Sequence, residues 1–156
     1  MTTAIATFIL LFLVGFLIQL ISARLVKRPG DLGITDGKLK ECPATPNCVS
    51  TQATDPTKLM PPIPFSIERS EVIATVAGYI DGVRHTKIIE QDSNYLAVVF
   101  RTSLIGYPDD VEFTIDKEKD LLHFRSASRL GYSDLGTNRK RMTKLSDALT
   151  DLLKIK

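Results

Sequence analysis

The hydrophobic pattern of the chain changes sharply after its first 25 residues. Residues 4–21 contain no charged side chain and are rich in Leu, Ile, Phe and Val. At about 1.5 Å per residue, a helix of this length approaches the roughly 30 Å hydrocarbon core of a bilayer. The alternative is a cleaved signal peptide, but no Lys or Arg precedes the apolar run, which exceeds a usual signal core. We therefore predict a transmembrane anchor over residues 1–23, with the lipid bilayer as the partner of residues 4–21.

The next two segments have neither a helical nor a strand period. Residues 24–40 have the composition of a linker, with four residues that favour turns at Pro29, Gly30, Gly33 and Gly37. The segment that follows, as far as residue 64, is dense in Pro, Thr, Asn and Asp. We predict a linker over residues 24–40 and, at the start of a domain over residues 41–156, an irregular arm that contains both cysteines.

Two helices follow from apolar residues that recur every three or four positions. The first is predicted over residues 67–81, where Ser66 can cap the start and Gly82 ends the pattern. The second is predicted over residues 138–154, and it is amphipathic because its apolar residues share one stripe, namely Met142, Leu145, Leu149 and Leu152. This stripe is expected to cover a sheet.

Four segments of alternating hydrophobicity lie between the two predicted helices. They are residues 84–91, 95–102, 110–116 and 121–127, and short polar or glycine-containing loops separate them. Strands joined by short loops form antiparallel meanders. The predicted fold class is therefore α+β, with a four-stranded antiparallel sheet and one helix before and one after it packed on the same face.

The last predicted hairpin fixes which side chains face the core. Its connection at residues 117–120 pairs Asp116 with Leu121 and, counting back, Glu112 with Arg125. Alternation then places five apolar side chains on one face, namely Val111, Phe113, Ile115, Leu122 and Phe124. We predict that this face forms the hydrophobic core.

The opposite face of the same strands is predicted to be charged. It carries Asp110, Glu112 and His123, and the same parity in the preceding hairpin places Arg101 opposite Asp110. Two interpretations stay open. Opposite charges across neighbouring strands form a ladder of salt bridges, whereas carboxylates beside a histidine can supply acid and base groups for hydrolysis. No catalytic residue can be assigned from this pattern.

Charge and cysteine content narrow the function classes. Twenty Lys and Arg against 18 Asp and Glu give a net charge of +2, which is too balanced for a nucleic-acid binder. Two cysteines and two histidines do not have the spacing of a zinc site, so neither a metal nor a cofactor is expected. Cys42 and Cys48 flank a short Pro-containing loop, which a disulfide can close. The alternative is a pair of free thiols.

Three separated motifs resemble, in the same order, those of the family catalogued as domain of unknown function 1499. They run from Cys42 to Gln52, from Asp109 to Phe113 and from Arg125 to Arg141. Because this family is uncharacterised, the resemblance implies no activity. Its members often follow a signal or membrane segment, which implies a domain outside the cytoplasm. The basic residues Arg24, Lys27 and Arg28 favour the opposite side by the positive-inside rule, so the extracytoplasmic side is an expectation.

The third motif contains the candidate binding site. Its glycine loop leads into a helix start, where free N–H groups attract anions and guanidinium groups bind phosphate or carboxylate. The predicted ligand residues are Arg125, Arg129, Tyr132, Asn138 and Arg139. The alternative is structural, because Asp134 or Thr137 can cap the helix without any ligand.

Together these patterns predict a single-pass, membrane-anchored envelope protein that acts as a non-enzymatic binding or accessory module. An anionic small molecule or another membrane protein is the expected partner. The alternatives are a hydrolase-like enzyme that uses the charged sheet face, or an interaction domain for another membrane protein. An exposed apolar patch would favour the interaction domain, whereas a concave pocket with a perturbed titratable group would favour the enzyme.

Overall fold

The computed structural model describes residues 2–116 and 118–154. An N-terminal helix is followed by four short strands, a second helix, four longer strands and a third helix. The elements are α1 (Thr2–Leu25), β1 (Ile34–Thr35), β2 (Lys38–Leu39), β3 (Cys48–Ser50), β4 (Ile63–Pro64), α2 (Arg69–Asp81), β5 (Thr86–Gln91), β6 (Tyr95–Arg101), β7 (Pro108–Ile115), β8 (Leu121–Ser128) and α3 (Thr137–Leu152). The α+β class is confirmed.

The main sheet is antiparallel and has six strands, so the prediction of four was wrong in number. The predicted meander is present as β5 to β8, and β3 and β4 both pair with the outer edge of β8. In this position they satisfy backbone groups that an edge strand would otherwise leave unpaired. At three and two residues, they are too short to show an alternating pattern in the sequence.

The predicted register is correct in one hairpin and wrong in the other. Glu112 pairs with Arg125 across β7 and β8, as predicted. Across β6 and β7, however, Arg101 pairs with Pro108, and Val99 takes the place opposite Asp110. The reason is that the loop closes where the Thr102 N–H donates to the Tyr107 carbonyl. Arg101 is exposed and donates to the Gly106 carbonyl instead.

The core lies between one face of the sheet and the two helices α2 and α3. The five apolar side chains that the register predicts for this face are all buried. Residues of both helices join them in one cluster, including Ile73 and Ile80 from α2 and Leu149 from α3. The predicted stripe of α3 needs one correction: Leu152 is 46% exposed, and Leu153 is fully buried in its place. The helix ends at Leu152, and the turn after it carries the next side chain inward.

The opposite face of the sheet is covered by residues 26–40, which we call the N-terminal arm. The hairpin of β1 and β2 lies in this arm, and Leu39 packs with Tyr95 and Ala97 of β6. The Gly33 N–H donates to the Glu112 side chain at 2.8 Å. The segment with the composition of a linker therefore packs on the domain.

The helix α1 is long and apolar enough to cross a membrane, as judged by the length and composition of Ala4–Leu25. Its side chains from Ala4 to Gln19 are exposed, whereas Ala23 near its end is only 1% exposed. The Tyr107 hydroxyl, in the loop between β6 and β7, hydrogen bonds to the Gln19 side chain. The last two turns of α1 therefore meet the domain.

Candidate functional site

The centre of the charged sheet face is the fully buried carboxylate of Glu112. It accepts hydrogen bonds from Tyr95 Oη at 2.7 Å, from the Gly33 N–H at 2.8 Å and from Arg125 Nη1 at 3.3 Å. Burial, together with the neighbouring Glu112 carboxylate, raises the pKa of Tyr95 and keeps its hydroxyl protonated. The Glu112 carboxylate is fully engaged within the protein.

A second ion pair lies beside the first. Arg129 forms a bidentate pair with Asp110, with Nε–Oδ2 and Nη2–Oδ1 distances of 2.8 Å and 2.7 Å. Both side chains are less than a tenth exposed, at 8% and 6%. Arg129 also donates to the Val26 carbonyl at 3.4 Å. The Asp110 carboxylate thus has a different partner from the predicted Arg101, and its charge is balanced.

His123 lies on the same face but has its own partners. Its Nδ1 is 2.9 Å from Thr51 Oγ1, and its Nε2 is 3.6 Å from an Asp116 carboxylate oxygen. Burial lowers the pKa of His123, and the attraction of Asp116 opposes this only in part. Backbone N–H bonds, first that of Glu118, lower the pKa of Asp116. The His123 imidazole therefore contacts Thr51 and Asp116, and it takes no part in the three hydrogen bonds of Glu112 described above.

The five predicted ligand residues fall into three environments. Arg125 and Arg129 lie in carboxylate pairs on the sheet face. Asn138 is fully buried on the α3 side, where its side chain bonds Ser126, Ser128 and the Asn47 carbonyl. On the outside, Arg139 donates to the carbonyls of Thr57 and Leu59, and Tyr132 is 74% exposed. Anion binding by these residues together stays a prediction.

The start of α3 is satisfied from within the chain. The Asp134 carboxylate accepts the backbone N–H groups of Gly136 at 3.0 Å and of Asn138 at 2.7 Å. Next to it lies a partly buried pair that sequence reasoning did not identify, in which Arg141 Nη2 donates to Asp109 Oδ2 at 2.5 Å. The guanidinium also stacks over the Phe100 ring at 4.9 Å. The alternation of side chains along β7 could have indicated this pair, because it places Asp109 on the face of the sheet that the helices cover.

The two cysteines form a disulfide, as predicted. The Cα atoms of Cys42 and Cys48 are 5.7 Å apart, and the alternative of free thiols was wrong. The bond joins the chain just after the N-terminal arm to the first residue of β3. It therefore fixes the end of the arm at the edge of the sheet.

A cavity of about 650 Å³ lies where the end of α1 meets two loops of the domain. We call it the helix-end cavity. Apolar side chains from the two loops line it, namely Leu104, Ile105, Leu130 and Leu135, and α1 contributes Gln19 and Ser22. It is larger than the cavities of about 200 Å³ beside Arg139 and beside Arg129. Sequence reasoning missed it because its walls come from three separate segments.

Polar side chains also line the helix-end cavity. They include Asp109, Ser128 and Thr137, with Asp134 beside them. Both carboxylates already have partners, one in Arg141 and the other in backbone N–H groups. Within the described residues, no group of three or more His, Cys, Asp or Glu side chains is placed to hold a metal ion. The lining of the cavity thus combines apolar and polar side chains.

Comparison with curated proteins and with solved structures finds no match to this chain. A family model described as a protein of unknown function, DUF1499, matches residues 38–149. The matched region begins at β2 and includes the cysteine loop, the main sheet and most of α3. The helix α1 and most of the N-terminal arm precede it. The chain therefore belongs to the DUF1499 family.

Proposed function

We propose that this protein is a single-pass membrane protein whose domain binds an amphipathic molecule in the helix-end cavity, without catalysis of its own. One observation carries the proposal: the end of an exposed apolar helix forms a wall of the cavity, through Gln19 and Ser22. A ligand in this position is within reach of a bilayer. In this proposal the protein has two partners, the bilayer around α1 and the ligand in the cavity.

The exposed face of α1 supports the membrane-spanning role. Its hydrophobic span, Ala4–Leu25, has 22 residues and none of its most apolar window is buried. In water, exposure of this apolar surface would be unfavourable in free energy. In hydrocarbon, the helix has the length and the low polarity that a membrane span requires. A core helix of a water-soluble domain would instead be covered by its own chain.

The lining of the cavity indicates the class of ligand. Binding sites for small molecules are mostly apolar and have a few polar groups that fix the orientation. Here the leucine and isoleucine walls suit a hydrocarbon chain, and the hydroxyls of Ser128 and Thr137 suit a polar head. Among the described residues that line the cavity there is no Lys, Arg or His, so no cationic side chain faces it to bind a carboxylate or phosphate. A neutral head with hydroxyl groups fits better than an anion.

The engaged carboxylates support binding rather than hydrolysis. A general acid or base needs a titratable group that reaches the substrate. Glu112 and Asp110 instead lie in pairs with Arg125 and Arg129, beneath the N-terminal arm. We therefore favour a binding module over the hydrolase-like enzyme.

The disulfide supports a domain on the extracytoplasmic side, in the cell envelope. Bonds such as Cys42–Cys48 persist mainly in oxidising compartments, whereas Arg24, Lys27 and Arg28 favour the cytoplasm. We expect a reporter fused to the C terminus to be active only outside the cytoplasm. Activity inside the cytoplasm would reverse this assignment.

Ligand binding is tested on the full chain by native mass spectrometry from phosphatidylcholine nanodiscs. The probes are a medium-chain monoacylglycerol and the fatty acid of the same chain length. We expect a retained monoacylglycerol adduct and no fatty-acid adduct. Ser22→Phe places a large side chain on the α1 wall of the cavity and should remove the adduct, whereas the matched Ile21→Phe, at an exposed position outside the lining, should retain it.

Two results would contradict the proposal. If parent and Ser22→Phe retain the monoacylglycerol equally, the helix-end cavity is not the binding site. If alkaline extraction releases the intact chain from its membrane, α1 is not a span.

A further inference from the structure

We infer that two loops, residues 102–107 and 130–136, insert their tips into the interface of the bilayer that α1 crosses. We call them the tip loops. The inference rests on the membrane-spanning role of α1 proposed above, and it adds a second contact between the protein and the lipid. The domain is then held against the membrane surface by its own side chains.

The tip loops expose large apolar side chains. Leu104 is 83% exposed, Leu135 is 87% exposed and Tyr132 is 74% exposed. A single exposed leucine needs no explanation, but Leu104 and Leu135 line the same cavity and thus belong to one surface. Leu135 also has a φ of 53°, a left-handed conformation that leucine rarely adopts. The chain therefore holds an apolar side chain outward at a conformational cost.

The position of this surface relative to α1 indicates what covers it. Tyr107 contacts Gln19, which lies six residues before the end of α1 at Leu25. At 1.5 Å per residue this is about 9 Å along the helix axis. The loop of residues 102–107 therefore lies at the depth of the last two turns of α1. Where these turns enter the headgroup region, the loop enters with them.

The composition of the tip loops fits the same environment. Residues 102–107 carry no charge, and residues 130–136 carry only Asp134, whose carboxylate accepts two backbone N–H groups. Tyrosines such as Tyr107 and Tyr132 concentrate at the boundary between lipid and water. Arg24 and Lys27 are exposed just beyond, where cationic side chains meet headgroups. Lipid is thus favoured over a partner protein.

The absence of Trp from the chain permits a direct measurement of depth. Four full-length variants, each with one Trp, are placed in phosphatidylcholine vesicles: Leu104→Trp, Leu135→Trp, Phe12→Trp and Leu152→Trp. Phe12 lies in the middle of α1, and Leu152 is the 46% exposed last residue of α3. Lipids brominated near the carbonyl end or near the methyl end of the acyl chain quench Trp at shallow or deep positions.

We expect the shallow quencher to remove most of the emission of Leu104→Trp and Leu135→Trp, with a blue shift on vesicle insertion. The deep quencher should act most on Phe12→Trp. Leu152→Trp should resist both, because about 22 Å of helix separates it from the start of α3 at Thr137.

The failures of the two proposals are distinguishable. If Phe12→Trp is quenched and both tip-loop variants behave like Leu152→Trp, the tip loops do not enter the lipid and this inference is overturned alone. Shielding that grows with protein density at a fixed lipid composition would assign the surface to a second copy, and it would also overturn the inference. An unquenched Phe12→Trp would refute the span itself.

Discussion

Both faces of the main sheet are buried along β7, but by different means. Neighbouring residues of β7 show the contrast, since Glu112 and Phe113 are both fully buried and point in opposite directions. Phe113 packs in the apolar core with the helices. Glu112 is covered by the N-terminal arm and has three hydrogen-bond partners. Burial alone therefore does not tell which kind of partner a side chain requires.

The difference matters for stability. An apolar side chain is stabilised by its removal from water and by close packing. A buried ion pair gains little net free energy, because desolvation offsets the attraction, yet loss of one partner leaves an uncompensated charge. The core face is therefore tolerant of changes that preserve volume. The arm face is tolerant only of changes that preserve charge balance.

The largest expected effect is on the core face. Phe113→Ala should lower the free energy of unfolding by about 3–5 kcal/mol, because it leaves a cavity among buried side chains. Urea unfolding of the full-length protein in detergent measures this difference. Leu104→Ala is the control, since its exposed side chain should leave the free energy of unfolding unchanged. Equal losses in both variants would contradict the assignment of the core.

On the arm face, Glu112→Gln should lower the free energy of unfolding by about 3 kcal/mol. The amide keeps the shape of the carboxylate but leaves the Arg125 guanidinium, which is 5% exposed, without a charged partner. The double variant with Arg125→Met should recover most of the loss. If the second substitution adds to the first, charge balance does not control this face.

The disulfide sets how firmly the arm is fixed at the sheet edge. The double variant Cys42→Ser with Cys48→Ser should lower the free energy of unfolding by about 2 kcal/mol. This is the chain-entropy value for a loop of this size, since the cysteines are six residues apart. Chemical unfolding with and without a reductant measures it. The reductant should remove the difference between parent and variant; a difference that persists would point to lost packing instead.

The smallest effect is a pH dependence at the end of the sheet. Because burial lowers the pKa of His123 below its usual 6.5, the unfolded chain takes up the proton more readily than the folded one. This contribution to stability is complete above pH 6.5 and declines as the pH falls toward the lowered value. His123→Gln should reduce the loss of thermal stability over this window. A larger loss in the variant would show that protonated His123 stabilises the fold through Asp116.

Short-range patterns account for the features that the sequence predicted correctly. The pairing of Glu112 with Arg125 follows from alternation and a short connection, each of which is local. The pairing of Arg101 was wrong because a longer loop admits several closures, and hydrogen bonds within the loop choose among them. The family resemblance, based on three motifs, is confirmed by the match over residues 38–149.

Features that depend on distant segments were not predictable in this way. Gly33 lies in a segment with the composition of a linker. Its φ of 124° is one that glycine adopts readily, and in this conformation its N–H donates to the Glu112 side chain. The helix-end cavity requires α1 to meet two loops about 80 and 110 residues away in sequence. No local periodicity records either contact.

The bond between Val26 and Arg129 has a mechanical consequence. Val26 is the first residue after α1, and its carbonyl accepts from the guanidinium that clamps Asp110 on β7. The first residue after α1 is therefore already bonded to the domain, and no long linker separates the helix from this contact. If α1 spans a bilayer as proposed, a change in its tilt, as when the bilayer thins or thickens, exerts a torque on the domain, because the end of the helix is tied directly to the sheet.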